Sequence, residues 1–257
     1  GEWPVSVGLV LIALIPKPTG GRRPIGLLPL MPRVWMRIRH GVIREWEKSH
    51  DRDYLYAGPG KGAQVAVWKQ AARAELAQLT DQQYAQVLLD LVKAFERVPF
   101  AVLLREAKRL GYNLVLLRLS VATYMLGRVV RVDGVLATVV CPTRGITAGA
   151  VFATAELKLV MISVIDRAYE LHPLVTIVVT LYVDDTAAED AGSHADIARD
   201  LPPFVLTICQ LIEDDGMEVS RSKGLCTAST EALATEVEAA LRPFGIRSRR
   251  VVKSLGV

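Results

Sequence analysis

The stretch Leu174-Val175-Thr176-Ile177-Val178-Val179-Thr180-Leu181-Tyr182-Val183-Asp184-Asp185 decides how this chain is read. Its first ten residues are rich in β-branched side chains and predict a buried strand over 174–183. Two adjacent carboxylates close it. An ionised carboxylate is costly to bury and two side by side repel, so the pair calls for solvent, a cationic partner or a metal. Taken alone, the dipeptide also fits a solvated Asp-Asp turn between two strands.

A second stretch repeats the pattern. Tyr84-Ala85-Gln86-Val87-Leu88-Leu89-Asp90 is another apolar strand ending in a carboxylate, and Leu91-Val92-Lys93-Ala94-Phe95-Glu96-Arg97-Val98 follows it. Two buried strands that each deliver an Asp to one sheet edge meet the requirement of two-metal phosphoryl transfer. Mg²⁺ takes hard oxygen ligands, and the two ions stand about 3.5–4 Å apart to clamp attacking and leaving oxygens.

With 257 residues, 51% of them hydrophobic, the chain can build one sizeable core or two small ones, and it is too apolar for disorder. A net charge of +4 permits a nucleic-acid partner without demanding one. The distribution of charge says more: Lys17 to Arg44 holds seven Lys or Arg and no acid, and Arg242 to Lys253 holds five and no acid. Each is either a solvated basic face or a contact for phosphates. Cys141, Cys209 and Cys226 stand far apart, without the spacing of a zinc site or a disulfide framework, as expected in a reducing compartment. No run reaches the ~18 apolar residues of a membrane span, and Val5–Ile15, with no basic segment before it, reads as a core strand and not a signal peptide. An intracellular protein, nuclear or cytoplasmic, is expected. The chain opens at Gly1 and ends in mid-pattern, as a fragment of a longer protein would.

In order, Val5–Ile15 is followed by the turn-rich Pro16-Lys17-Pro18-Thr19-Gly20-Gly21 and then by Arg22-Arg23-Pro24-Ile25-Gly26. A Gly-rich tip carrying cations suits a polyphosphate, and an exposed basic hairpin is the plainer reading. Met31–Lys48 is expected to be helical, with Val34, Trp35, Ile38, Val42 and Trp46 as its core stripe, and Ala63–Leu79 likewise, with Val65, Trp68, Ala72, Leu76 and Leu79. Pro99 opens a helix that Gly111 ends, and Leu114–Leu126 forms another. Val129–Val132, Asp133-Gly134 and Val135–Val140 spell a hairpin, because Asp-Gly supplies the positive φ of a tight turn. Arg128 and Arg131 there face either nucleic acid or solvent. A long helix is expected over Gly149–Leu171, a return strand over Thr186–Glu189, and a helix capped by Ser193 and interrupted by Pro202-Pro203, its second piece running to Asp215-Gly216. A strand from Met217 and a helix over Thr230–Leu241 complete the pattern. Strand, helix, hairpin, helix and strand in this order form a split βαβ unit.

The motifs resemble those of one family. "LLDLVKAFERV" is similar to the first catalytic motif of reverse transcriptases and "LYVDD" to their aspartate hairpin, while "TRGITAGAVFATAEL" resembles the nucleotide-binding turn and helix between them. "KPTGGRRPIGLLP" resembles the fingers segment, Met217–Lys223 the motif ending in a lysine, and Val251–Val257 the start of the primer-grip hairpin. The likeness is to reverse transcriptases of non-LTR, LINE-like retrotransposons. It implies an α+β fold: a right-hand polymerase palm, with a ferredoxin-like antiparallel sheet and helices on one face, plus fingers. Fingers would occupy 1–83, the palm's first motif 84–112, a fingers/palm insertion 113–148, the palm with the aspartate hairpin 149–229, and the palm end with the primer-grip start 230–257.

The resemblance also implies roles. Asp90, Asp184 and Asp185 would be catalytic and, with the Leu91 carbonyl, would hold two Mg²⁺ ions, Mn²⁺ being a possible substitute. The backbone of Lys93, Ala94 and Phe95 would receive the triphosphate, with the Phe95 ring as a gate against a ribose 2′-hydroxyl. Lys17 and Arg23 would pair with the triphosphate, Ala148 and Gly149 would form the nucleotide-binding turn, and Lys223 would give a proton to the leaving pyrophosphate. Arg22, Arg128, Arg131 and Tyr182 would contact nucleic acid. The implied partners are an RNA template, a DNA primer and a deoxynucleoside triphosphate. Two departures stand out: Thr147-Ala148-Gly149 replaces Pro-Gln-Gly, and Glu96 replaces an Asp. The missing Gln leaves room for a second reading, a catalytically inactive RNA-binding scaffold of the same fold.

Overall fold

The structure, a computed structural model, describes residues 2–17, 20–58, 60–132 and 135–250. A 3-10 turn at Val5–Val7 precedes β1 (Val10–Pro16), β2 (Arg22–Leu27), α1 (Leu30–Ser49), α2 (Ala63–Leu79) and β3 (Gln83–Leu89). Then come α3 (Ala94–Arg97), α4 (Phe100–Arg109), α5 (Leu114–Tyr124), β4 (Arg128–Val132), β5 (Val135–Leu136) and α6 (Ala153–Leu171). The hairpin β6 (Val178–Tyr182) and β7 (Asp185–Gly192) follows, then α7 (His194–Asp214), β8 (Leu225–Ala228), α8 (Glu231–Leu241) and β9 (Arg247–Ser248). The chain forms two compact units, Gly1–His50 with Lys93–Val160 and Asp51–Val92 with Met161–Val257. No helix among the described residues is long and apolar enough to cross a membrane.

In the second unit a five-stranded sheet runs β6-β7-β3-β8-β9, antiparallel except for β8 beside β9. Alternation gives it two unlike faces. Ala85, Val87, Leu89, Val179, Leu181, Ala188 and Cys226 lie on the apolar face and are buried. The helices α7 and α8 cover that side, bringing Asp196 and Asp200 towards Asp190 and Glu238 towards Cys226. Tyr84, Gln86, Thr180, Thr227 and Glu189 lie on the other face, against α2: Arg73 reaches Glu189 with two hydrogen bonds of 2.8 and 3.0 Å, and Tyr84 donates to the same carboxylate at 2.8 Å. The split βαβ order is present.

The first unit has a four-stranded sheet, β2-β1-β4-β5, in which the basic hairpin β1–β2 is antiparallel and β4 joins β1 in parallel. The core of this unit includes Met36, Ile43, Leu103, Leu117, Tyr124 and Phe152, all buried. Trp46 is core and donates its indole N–H to the Leu110 carbonyl at 2.8 Å, and Trp35 lies edge-on between Trp3 and Phe152. Glu156 is buried among Tyr124 and Tyr112, whose hydroxyls donate to it at 2.5 and 3.5 Å, and desolvation pushes its carboxyl up to about 7.

Several elements differ from the sequence expectation. The strand expected over 174–183 is only β6, because Pro173 turns the chain and Leu174 is fully out in solvent. Val5–Ile15 begins with a 3-10 turn, and Gly8 at φ +81 separates it from β1. The long helix α6 starts at Ala153, after the turn that Gly149 makes at φ +99. The prolines at 202 and 203 do not interrupt α7. Both sit inside one continuous helix, where a φ near −65° is helical and only two N–H donors are lost. The sheet strand after α7 is β8, and Met217–Ser220 contributes just one bridge, Val219 to Leu91. The hairpin β4–β5 pairs, but its second strand is Val135–Leu136 and not Val135–Val140, with one further bridge from Arg128 to Val140; its Asp133-Gly134 turn lies outside the described residues, as do Pro18-Thr19 and the primer-grip start Val251–Val257.

Both expected core stripes are also turned, although Trp46 is buried as expected. On α1 the buried side is Pro32, Met36, Ile43 and Trp46, while Val34, Ile38 and Val42 are exposed. On α2 the buried residues are Ala66, Gln70 and Ala77, with Trp68 at 76% exposure. A helix resting on a polar sheet face must present small or polar residues to it, and here Gln70 and Arg73 meet that demand. Two isoleucines on α1 test this assignment, Ile43 at 1% exposure and Ile38 at 67%. Thermal or denaturant unfolding should show Ile43→Ala costing about 2–4 kcal/mol and Ile38→Ala less than about 0.5 kcal/mol. Equal costs would mean that α1 is rotated from the face described.

Candidate active site

The register of β3 against β7 builds the site. Leu89 pairs with Thr186, so one position further along each strand stand Asp90 and Asp185, at neighbouring ends of antiparallel strands and on the polar face. Tyr182 pairs with Asp185, which leaves Val183 and Asp184 as the two residues of the hairpin turn. Val183 has φ +62, a conformation that costs a β-branched residue roughly 1–2 kcal/mol. Two flanking contacts hold the hairpin. Tyr54 and Tyr56 exchange backbone hydrogen bonds with Leu181 at 2.7 and 2.8 Å. Tyr54 also donates to Asp166 at 2.5 Å, and Arg52 reaches the same carboxylate at 3.0 Å. On the other side, Glu189 is 1% exposed and carries the charge of Arg73.

Asp90 is fixed by backbone. Its carbonyl accepts from Ser220 N at 2.8 Å, and Val92 N donates to the Glu218 carbonyl at 2.8 Å. In this bridge pattern the N–H and C=O of Leu91 point away from Val219, so the Leu91 carbonyl projects from the opposite side of the segment. Lys223 Nζ donates to Asp90 Oδ2 at 2.9 Å. Among the described residues, no three His, Cys, Asp or Glu side chains already stand together as a metal-ligand set. The donors that the register carries to this edge are three carboxylates and a backbone carbonyl, hard oxygens of the kind that suit Mg²⁺ or Mn²⁺.

The remaining predicted residues, apart from Tyr182 beside the hairpin turn, fall in the first unit, where three segments meet. Lys93 has φ +51 and opens α3, with Ala94 buried and Phe95 half-buried. The Phe95 carbonyl accepts from Ile146 N at 2.7 Å and the Val98 carbonyl from Gly145 N at 2.8 Å, which ties this segment to the turn Thr147–Gly149. A Cβ at Gly145 would collide with the Glu96 backbone. The turn in turn meets β2: Gly26 N donates to the Ala148 carbonyl at 2.9 Å, and a Cβ at Gly149 would come within 3.1 Å of the Gly26 carbonyl. Lys17, Arg22 and Arg23 are exposed at the far end of that hairpin. Arg128 and Arg131, three apart on β4, lie on opposite faces of the strand, and Arg128 donates to Thr147 Oγ1 at 3.2 Å.

Sequence reasoning did not single out Arg73, Tyr84 and Glu189, or Arg52, Tyr54 and Asp166. The one available sign was Glu189 in a short strand beside two alanines, since a carboxylate buried there needs a cation. Lys223 competes with any cation for Asp90. An exposed pair of this kind is worth at most about 1 kcal/mol, so Lys223→Ala should tighten Mn²⁺ binding by about 2- to 5-fold in a calorimetric titration. Weaker binding in the variant would show that Lys223 supports the cation site and does not compete for it.

A family model described as reverse transcriptase (RNA-dependent DNA polymerase) matches residues 15–250. Among solved structures, telomerase from Candida tropicalis in complex with a TWJ fragment of telomeric RNA aligns with a TM-score of 0.66 at 11% identity, over 90% of this chain and 42% of its own. Apo telomerase from Candida tropicalis, truncated from its C-terminal domain, gives 0.61 at 13% identity over 87% of this chain and 51% of its own. Telomerase from Candida albicans with a TWJ fragment of telomeric RNA gives 0.59 at 13% over 90% and 43%. At these identities the likeness is one of fold, and this chain spans 42–51% of the length of those structures' chains. No curated protein matches the chain. With the family match running over residues 15–250 of 257, the chain belongs to the reverse transcriptase (RNA-dependent DNA polymerase) family.

Proposed function

We propose that this chain is the palm and fingers of an RNA-directed DNA polymerase that adds deoxynucleotides to a DNA primer along an RNA template, within a non-LTR, LINE-like retrotransposon. The observation that carries the reading is the β3–β7 register, which delivers Asp90 and Asp185 to one edge beside the Asp184 turn. Asp90, Asp184, Asp185 and the Leu91 carbonyl would hold two Mg²⁺ ions, or Mn²⁺ in their place, which supply charge stabilisation to the attacking and leaving oxygens. The chain's own groups do the rest. The Lys93–Phe95 backbone and the turn at Ala148-Gly149 receive the nucleotide, and Lys17 and Arg23 pair with its triphosphate. Lys223, beside Asp90, gives a proton to pyrophosphate. Arg22, Arg131 and Tyr182 lie along the primer and template. The retrotransposon assignment rests on the spelling of the motifs.

The second reading, an RNA-binding scaffold without catalysis, is favoured by Ala148, which lacks the side-chain amide common at that position. Primer extension on RNA with Mg²⁺ separates the two. Asp90→Asn or Asp184→Asn should lower kcat by at least about 100-fold with the melting temperature held, because an amide cannot supply the anionic ligand. A wild-type chain that binds RNA but never extends a primer would favour the scaffold.

Phe95→Val tests the sugar gate. The ring follows Asp90 by five residues and is half-buried, so trimming it makes room for one oxygen without touching a carboxylate. The ratio of kcat/KM for deoxy- over ribonucleotides should fall by about 10- to 100-fold. If Phe95 is core alone, both substrates lose activity together and the ratio stays put.

A further inference from the structure

We propose that Arg128 is the positioning residue of the nucleotide-binding turn, holding Thr147–Gly149 in place and lending it the positive charge that a phosphate-bearing nucleotide meets there. The proposal rests on the polymerase reading above for the identity of its ligand, and on the geometry of one unit for the rest.

The Arg128 backbone is locked. Its N–H donates to the Val140 carbonyl and its carbonyl accepts from Val140 N, both at 2.8 Å. Its guanidinium is half-buried and runs under the turn, where one terminal nitrogen, Nη2, donates to Thr147 Oγ1 at 3.2 Å and to the Tyr124 carbonyl at 3.3 Å. Nε is buried and makes no hydrogen bond. Among the described residues, no carboxylate forms an ion pair with this cation. Glu96 acts on it only through space, and desolvation outweighs that influence, so burial draws the guanidinium below its usual range. A desolvated cation with one unpaired donor is unfavourable unless an anion or acceptor joins it.

The neighbours point to which anion. Thr147 is 1% exposed, and its hydroxyl is the acceptor that aims Arg128; a proline at this position would have none. Ala148 and Gly149, the next two residues, reach the surface and carry no polar side chain. The same turn is bonded to the Phe95 segment and to Gly26 at the base of the hairpin that presents Lys17 and Arg23. A nucleotide lying on this turn meets backbone N–H groups, Gly149 and one fixed positive field from beneath. Thr147 and Arg128 together thus supply what Ala148 does not. A phosphate of the primer–template is the other source of the same chemistry, and the experiment separates the two.

The test titrates a deoxynucleoside triphosphate into the chain and, separately, follows primer–template affinity, with melting temperature as control. Arg128→Gln should raise the nucleotide dissociation constant by about 10-fold or more, mirrored in KM with kcat at saturation within about 3-fold. Thr147→Val, which keeps the charge but frees the guanidinium, should shift it in the same direction by less, and Arg128→Lys should hold binding within a few-fold. Adding Ala148→Gln to Arg128→Gln should recover part of the loss, a rescue that a purely structural role would not give. Unchanged nucleotide affinity in folded Arg128→Gln overturns the proposal, as does a loss confined to primer–template. If Arg128→Gln fails to fold, Thr147→Val decides by the same readout. The titration needs no turnover, so a chain that binds nucleotide through Arg128 yet extends no primer refutes the polymerase reading alone, whereas extension that depends on Asp90 but ignores Arg128 refutes this proposal alone.

Discussion

Carboxylates at the ends of adjacent strands repel, and much of the second unit is arranged to keep them there. Antiparallel pairing alone would let the β6–β7 hairpin slip by two residues with little loss of hydrogen bonding, which would carry Asp185 away from Asp90. Glu189 removes that freedom. It lies four residues from Asp185 on the same face of β7, and its two oxygens are taken by Arg73 and Tyr84. A shifted register would leave that carboxylate and the Arg73 guanidinium buried without each other, a far larger penalty than any ladder bond. The second clamp, Arg52 and Tyr54 on Asp166, holds the loop that pairs with Leu181 on the outer side of β6. Two ionic contacts remote from the site thus fix where its acids stand.

The same clamp explains what the sequence conceals. Existence and order of elements were legible: Ala63–Leu79 is helical from end to end, the strand before Asp90 and the hairpin around Asp184 are where the patterns put them, and Ser193 caps a helix. Which side of a helix faces inward was not. Periodicity reveals that α2 has an apolar stripe, but burial depends on what the sheet offers, and this face offers Glu189, Gln86 and Tyr84. Arg73 and Gln70 then go inward and Trp68 outward. Strand ends failed for another reason. β-branched composition describes Leu174–Ile177 as well as Val178–Leu181, and only the proline before Leu174 tells them apart.

The site divides along similar lines. Asp90, Asp184 and Asp185 stood out in the sequence as candidates because acids closing apolar strands are costly unless solvent, a cation or a metal meets them. Lys223 was singled out only by the resemblance, and nothing in the residues alone said that the fold would set it 2.9 Å from Asp90. In the first unit, the Lys93–Phe95 segment, the Thr147–Gly149 turn and the β1–β2 hairpin are far apart in the chain, and their meeting depends on glycines whose need is steric. Gly145 admits the Glu96 backbone, and Gly26 admits the Thr147 side chain. A glycine in a loop carries no such information by itself, since most glycines in turns serve φ alone.

Val183 restrains the hairpin at its turn. A two-residue turn with positive φ at its first position is what glycine or asparagine would fill without strain, yet a valine stands there at φ +62. The cost is borne locally by a hairpin whose strands are both buried and whose outer strand is stapled through Leu181. Glycine at this position would relieve the strain and also free the turn to sample other conformations, moving Asp184 relative to Asp185. A β-branched side chain narrows those choices, since few backbone angles accommodate it and its own rotamers are restricted. Strain at Val183 and ion pairing at Glu189 therefore act on the same quantity from opposite ends of one hairpin. The remote pair sets the register of the strands, and the strained residue limits how far the acid in the turn can wander from the acid that begins β7.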